Sequence, residues 1–221
     1  MKSGSKPERF RSKQNILAPA WKVPEYKLNC YAYGLGLNIG RGGYYKNRLY
    51  KARPGDKCLR FRDQPFDFQN CEDIVKRIIC DNPEHVRKIK PDKYDYYLNR
   101  NLSDDYHLMA AYLSPGKNGN GTDFHFLRRV PLSAVANAWS KFRKDTPQKA
   151  INQMAEQQPP YLFTHRRGWS ARGPLLVDAS DNIILDPRTA DLNYGSVNYS
   201  IFCGLFMVAT RKATVTDQYN Q

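Results

Sequence analysis

The sequence predicts an α+β fold, in which a helix bearing a cysteine packs on an antiparallel β-sheet and a helical insertion interrupts the strands. Three observations lead there. Helix signals concentrate in the first part of the chain. Strand patterns dominate from Tyr106 onward. The stretch TDFHFLRRV alternates, with Phe124 and Phe126 on one face and Asp123, His125 and Leu127 on the other. Helices first and an antiparallel sheet afterwards is an α+β order.

The elements follow in sequence. In LNCYAYGLGL, Asn29 is a favoured helix N-cap and Cys30 falls in the first turn. The positive end of a helix dipole favours thiolate over thiol, which would lower the Cys30 pKa and make a nucleophile. The alternative is a small buried hydrophobe, the ordinary place of a free cysteine. The stretch GRGGYYKNRLYKARPGDK reads as loop, with a turn at Pro54-Gly55. NCEDIVKRIICDNP predicts a helix over Cys71–Cys80, capped by Asn70 and acidic in its first turn. Ile74, Ile78 and Ile79 share its apolar face, and Pro83 stops it.

YHLMAAYL (Tyr106–Leu113) is a buried strand, and the His125 strand follows it. PLSAVANAWSKF and TPQKAINQMAEQQ are helical, the second with Thr146 as cap and Pro147 at its first position. Together they form an insertion at 130–158. YLFTHRRGW, PLLVD and NIILD are short strands, with ASDN as a hairpin turn between the last two. YSIFCGLFMVAT is a mostly apolar, central closing strand. The predicted organisation is a basic arm over 1–24, a domain over 25–210 and a tail over 211–221.

The 221 residues carry a formal net charge of +14 with 41% hydrophobic residues, so a real core coexists with attraction to something acidic, nucleic acid or another polyanion included. The arm 1–24, rich in Lys, Arg, Ser and Pro, is the expected contact for an assembly partner. The five cysteines, an odd number, are not preceded by an apolar signal-peptide core, and no run is long enough to span a membrane. Free thiols and an intracellular setting, or a place inside a phage or viral particle, are therefore expected. Cys71 and Cys80 lack zinc-site spacing. No phosphate loop, HExxH, CxxC pair or EF-hand loop occurs, and no metal or cofactor is expected.

Cysteine-hydrolase chemistry needs a thiol, an imidazole within reach and a polar group that orients the imidazole. Cys30 is the candidate nucleophile and His125, mid-strand between two phenylalanines, the candidate base. The orienter is His165, Asp186 or Asp178. His165 lies on the next strand, while the two aspartates end later strands, where turn formation is their ordinary use. His85 and His107 receive no role.

The segments NCYAYGLG, CEDIVKRIICDN, YHLMAAYLSP, DFHFLRR, THRRGW, ASDNIILDPRTAD and NYGSVNYSIFCGLFMV occur in an order that resembles the papain-like superfamily. Within it the chain is most similar to the NlpC/P60 type of cysteine peptidase or amidase. The likeness spans roughly residues 28–209. It implies Cys30 as nucleophile, His125 as base and His165 as third residue, acting by acyl transfer on a peptide, isopeptide or peptidoglycan stem peptide. Asn29 and Tyr31 flank the cysteine where that family commonly shows an acid and a serine. A second reading is a non-catalytic component of a larger assembly, such as a phage or viral particle, using a peptidase-like scaffold. A third, a nucleic-acid-binding module, draws on the aromatic and basic residues interleaved in YYKNRLYKARPGDKCLRFR.

Overall fold

A computed structural model describes residues 29–36, 52–61, 63–117, 121–137, 139, 145–167, 174–210 and 212–214. The arm 1–24 and most of the glycine- and tyrosine-rich stretch after Gly36 lie outside the described residues.

Five strands form one antiparallel sheet. They are β1 (Val86–Lys88), β2 (Tyr106–Ser114), β3 (Asp123–Pro131), β4 (Tyr161–His165) and β5 (Ile201–Ala209), in the order β1-β5-β2-β3-β4. The mixed α and β composition with an antiparallel sheet agrees with the expected class. β5 is interior, as its apolar run predicts. PLLVD and NIILD, expected as strands, contribute only isolated bridges: Val177 to Ile183, His165 to Leu175 and Phe163 to Ile184. ASDN does turn the chain between them, with Asp181 at φ 63° and the Asp178 amide bonded to the Asn182 carbonyl.

Helices α1 (Cys30–Gly34) and α2 (Cys71–Asp81) cover one sheet face. α2 starts as its sequence predicts, because Asn70 accepts from the Glu72 amide at 2.9 Å and Arg77 reaches back one turn to Asp73 at 2.8 Å. Ile74 and Ile78 are fully buried with Tyr31, Met109, Phe126 and Phe206. The opposite face carries Leu108, Ala110, Leu127 and Leu205. It is covered by α3 (Tyr94–Leu98) and by the irregular chain around Ile184 and Leu192.

Between β3 and β4 run α4 (Leu132–Asn137) and α5 (Gln148–Gln157), which make their own small core with Val130, Leu162, Leu176 and Ile183. α5 begins one residue later than predicted: Pro147 is the N-cap, and no side chain caps the helix there. The expected tail begins packed, with Ala213 in the main core and Thr214 bonded to Asn82 through both its amide and its carbonyl.

Buried Asp81 ties three segments. Its carboxylate accepts from the Tyr31 hydroxyl on α1 and from the Gly55 and Lys57 amides at the Pro54-Gly55 turn, at 2.8–2.9 Å. Gly55 has φ 97°, which the turn needs and other residues resist.

The cysteines depart from expectation. Cys58 pairs with Cys80 and Cys71 with Cys203, leaving Cys30 as the one free thiol of the five. Cys71 and Cys203 are 132 residues apart, and only the packing of α2 on β5 brings them together. The pairing removes the cysteine argument for a reducing compartment. Among the described residues, no helix is long and apolar enough to cross a membrane.

Two tests follow from this packing. A Cβ on Gly34 would meet Met109 Sδ and Phe126 Cβ at 2.9 Å. Gly34→Ala should therefore destabilise the protein by about 1–3 kcal/mol in urea titration, and an unchanged midpoint would mean that α1 sits farther from the sheet. Alkylation of the unfolded, non-reduced chain should label Cys30 and leave Cys58, Cys71, Cys80 and Cys203 untouched. Label on any of those four would refute the pairing.

Candidate active site

Asn29 fixes the start of α1 with both ends of its amide. Its Oδ1 accepts from the Ala32 amide at 3.0 Å, and its Nδ2 donates to the Ala52 carbonyl at 2.6 Å. The next side chain, Cys30, is thereby held against β3. β4 pairs with β3 only from Leu127 to Pro131. The Phe124–Phe126 stretch of β3 lies beyond that pairing, and there the Cys30 thiol donates to the Phe124 carbonyl at 3.6 Å.

The predicted depression of the thiol pKa is not found. Burial pushes the Cys30 thiol well up, and the nearby Asp123 carboxylate adds to the rise. The amides of Phe126, Tyr31 and Cys30 pull the other way and are outweighed. The physical reason is scale. α1 has five residues, so its dipole is small, whereas Cys30 is only 5% exposed. The resting group is a thiol.

His125 stands on the opposite side of the pleat from Phe124 and Phe126. Its Nε2 meets His165 Nδ1 at 2.8 Å, and His165 Nε2 meets the Val177 carbonyl at 2.9 Å. A carbonyl can only accept, so His165 carries its proton on Nε2. Its Nδ1 then accepts from His125 Nε2–H when both rings are neutral. The proton of His125 is thus on Nε2, and its Nδ1 bears a lone pair. Burial lowers both ring pKa values. His165 and Arg167 lower that of His125 further, and His165 is brought to about 4.

The aspartates named with His165 bond elsewhere. Asp178 accepts from the Ser180, Asn182 and Asp191 amides, which is turn chemistry. Asp186 caps a short 3-10 turn over Pro187–Thr189 and is ion-paired with Arg188 at 2.6 Å. His107, buried, bonds the Gly34 carbonyl and Thr210. His85 precedes β1 in a turn. Among the described residues no group of three or more His, Cys, Asp or Glu is set to hold a metal.

Two residues escaped the sequence reading. Tyr199 stacks on the His125 ring, with centroids 4.6 Å apart and planes at 25°. Its hydroxyl donates to Asp123 at 2.7 Å. Asp123 lies two residues before His125 on one strand face, a signal the alternation carried. Tyr199 had none, because it belongs to an irregular segment. Both line an open cleft of about 940 Å³ together with Cys30, Phe66, Phe68 and Arg167.

Three buried histidines have pKa values held below their ordinary one: His107, His125 and His165. Below about pH 6.5 the unfolded chain binds more protons than the folded one, so stability falls as pH falls. The slope should approach three protons between about pH 6.5 and 5, at about 1.4 kcal/mol per unit for each. Buried Asp81 and Asp123, whose carboxyls are raised, act in the opposite sense where they take up protons in the folded protein. Urea titrations across that window measure it, and a slope below one proton would show that the rings are not buried and neutral.

Comparison of the chain with protein-family models, with curated proteins and with solved structures returns no match.

Proposed function

We propose that this protein is a cysteine peptidase or amidase of the papain-like superfamily, of the NlpC/P60 type, acting on a peptide, isopeptide or peptidoglycan stem peptide. One observation carries the reading. The Val177–His165–His125 chain puts the His125 proton on Nε2 and a lone pair on Nδ1, on the same strand to whose Phe124 carbonyl the Cys30 thiol donates. A neutral imidazole with a defined tautomer is what a general base requires.

The resting site is a neutral pair, since burial raises the thiol and lowers the imidazole. The thiol therefore leaves the Phe124 carbonyl and gives its proton to His125 Nδ1 as the sulfur attacks the amide carbon. The tetrahedral oxyanion is held by the Cys30 amide and one further donor. His125 Nδ1–H then protonates the departing amine, and the C–N bond breaks to leave a thioester on Cys30. Water, deprotonated by His125, attacks the thioester, and the thiol recovers its proton as the acid departs. His165 accepts from His125 throughout and supports its positive charge.

The test is covalent labelling of the whole chain by an electrophilic peptide amide, located by mass spectrometry. Cys30 should be acylated and Cys30→Ala should abolish the label. His125→Ala should slow labelling by about 10²- to 10⁴-fold. Because the base is a neutral imidazole, the rate should fall as acid protonates His125, with no gain from a preformed thiolate. An unlabelled Cys30 in the folded protein would sink the reading.

A second reading has its own support: the protonated thiol bonded to a backbone carbonyl and the charge of +14 suit a non-catalytic scaffold with a basic surface. The protein would then serve in an assembly such as a phage or viral particle, with residues 1–24 meeting a protein partner or polyanion. Failure of acylation together with salt-sensitive binding to a polyanion would favour it.

A further inference from the structure

We infer that Tyr199 is a positioning residue for His125, anchored by Asp123, and that its ring keeps the imidazole dry and at one tilt; this rests on the peptidase reading above. An imidazole on a strand has one torsion that swings its nitrogens, and aiming Nδ1 at a thiol requires that torsion to be fixed. His165 holds one edge of the ring at Nε2. A single edge contact leaves the ring free to rock about that bond. Tyr199 supplies the missing face contact, nearly parallel at 4.6 Å.

The tyrosine is not left to find its own place. Its hydroxyl donates to Asp123 Oδ2 at 2.7 Å, while Asp123 Oδ1 accepts from the Phe124 amide at 2.8 Å. Asp123 and His125 are two residues apart on β3 and share a sheet face, so the strand itself sets the spacing between anchor and covered ring. Tyr199 lies just before β5, on irregular chain that no sheet ladder fixes. Its backbone amide bonds the Leu192 carbonyl, and the carboxylate fixes the far end of its ring. Tyr199 also lines the cleft with Cys30, so the cover stands between His125 and the solvent that enters the cleft.

The cover works through His125 and has a readout that a merely structural role would not move. The titration of each histidine in the labelled full-length protein is followed by NMR, alongside the rate of Cys30 acylation. Tyr199→Phe keeps the ring but cuts its hydrogen bond to Asp123, so the His125 inflection should rise as in Asp123→Ala, by about half a unit or more, and acylation should slow by less than in Tyr199→Leu. Tyr199→Leu removes the cover. The His125 inflection should then rise toward the ordinary histidine value, and acylation should slow by about tenfold. His107, which bonds Gly34 and Thr210 and not Tyr199, reports the fold and should not move.

Where Tyr199→Leu also shifts His107, the fold has been lost and Asp123→Ala decides. Removing a negative charge can only lower an imidazole pKa, so a rise of about half a unit or more must come from water admitted past an unanchored ring. An unmoved His125 inflection in a folded Tyr199→Leu, or no rise in Asp123→Ala, overturns the assignment of Tyr199. Absence of acylation in the unmutated protein instead overturns the peptidase reading, and with it the catalytic purpose of the cover.

Discussion

The pairing of β3 with β4 is the constraint on which the rest of the site depends. Leu127 sits opposite His165, and His125 is the next residue of β3 on that same face. The two imidazoles are therefore diagonal neighbours, close enough for long side chains to meet. A slip of one residue would turn His165 to the other face and break the chain to Val177. Register, more than any property of the rings, sets which nitrogen of His125 bears the proton. The insertion contributes indirectly: α4 and α5 pack on Val130 and Leu162, the part of the pair away from the histidines.

The same strand meets Cys30 differently. A pleat separates alternate side chains, and Phe124 and Phe126 occupy the face that α1 covers. A thiol packed squarely on that face would be shielded from His125 by the strand. Cys30 belongs to the same apolar cluster as Phe124 and Phe126, and its bond is to the Phe124 main-chain carbonyl, where β4 has ended. The close approach of α1 requires a residue without a Cβ at Gly34. The glycine of NCYAYG is thus a packing demand, and the aromatic residues around it, Tyr31 and Tyr33, are buried rather than displayed.

Local signals made much of this legible. Asn29 and Asn70 cap the helices they precede, β3 alternates as written, and His165 lies on the strand that pairs beside His125. What the sequence hid was long-range or environmental. No spacing rule couples Cys71 to Cys203 across the fold. The thiol pKa was argued from a helix dipole, but the decisive quantities were depth and the charge on Asp123, which only packing supplies. Asp178 and Asp186 were expected to end strands, but those stretches make only isolated bridges, and backbone amides and Arg188 take the carboxylate oxygens. Tyr199 was invisible because nothing in an irregular segment tells which ring it will cover.

The cleft wall opposite the strand poses a separate physical problem. Phe66 and Phe68 line the cleft from a stretch with no helix or strand of its own. Such a stretch cannot be held by a hydrogen-bond ladder, and its backbone groups need other partners. Arg77 supplies some: it donates to the Gln64 and Pro65 carbonyls and lies over the Phe61 and Phe66 rings at 4.7 and 5.0 Å. Asp73 supplies another, accepting from the Asp67 amide at 3.1 Å, and a further restraint is covalent. Cys58, before the stretch, is tied to the last turn of α2, and Cys71, after it, is tied to β5. Both ends of the wall are thus fastened to the framework against which Cys30 packs. A cleft with one side made of sheet and the other of irregular chain keeps its shape because the second side is stapled to the first.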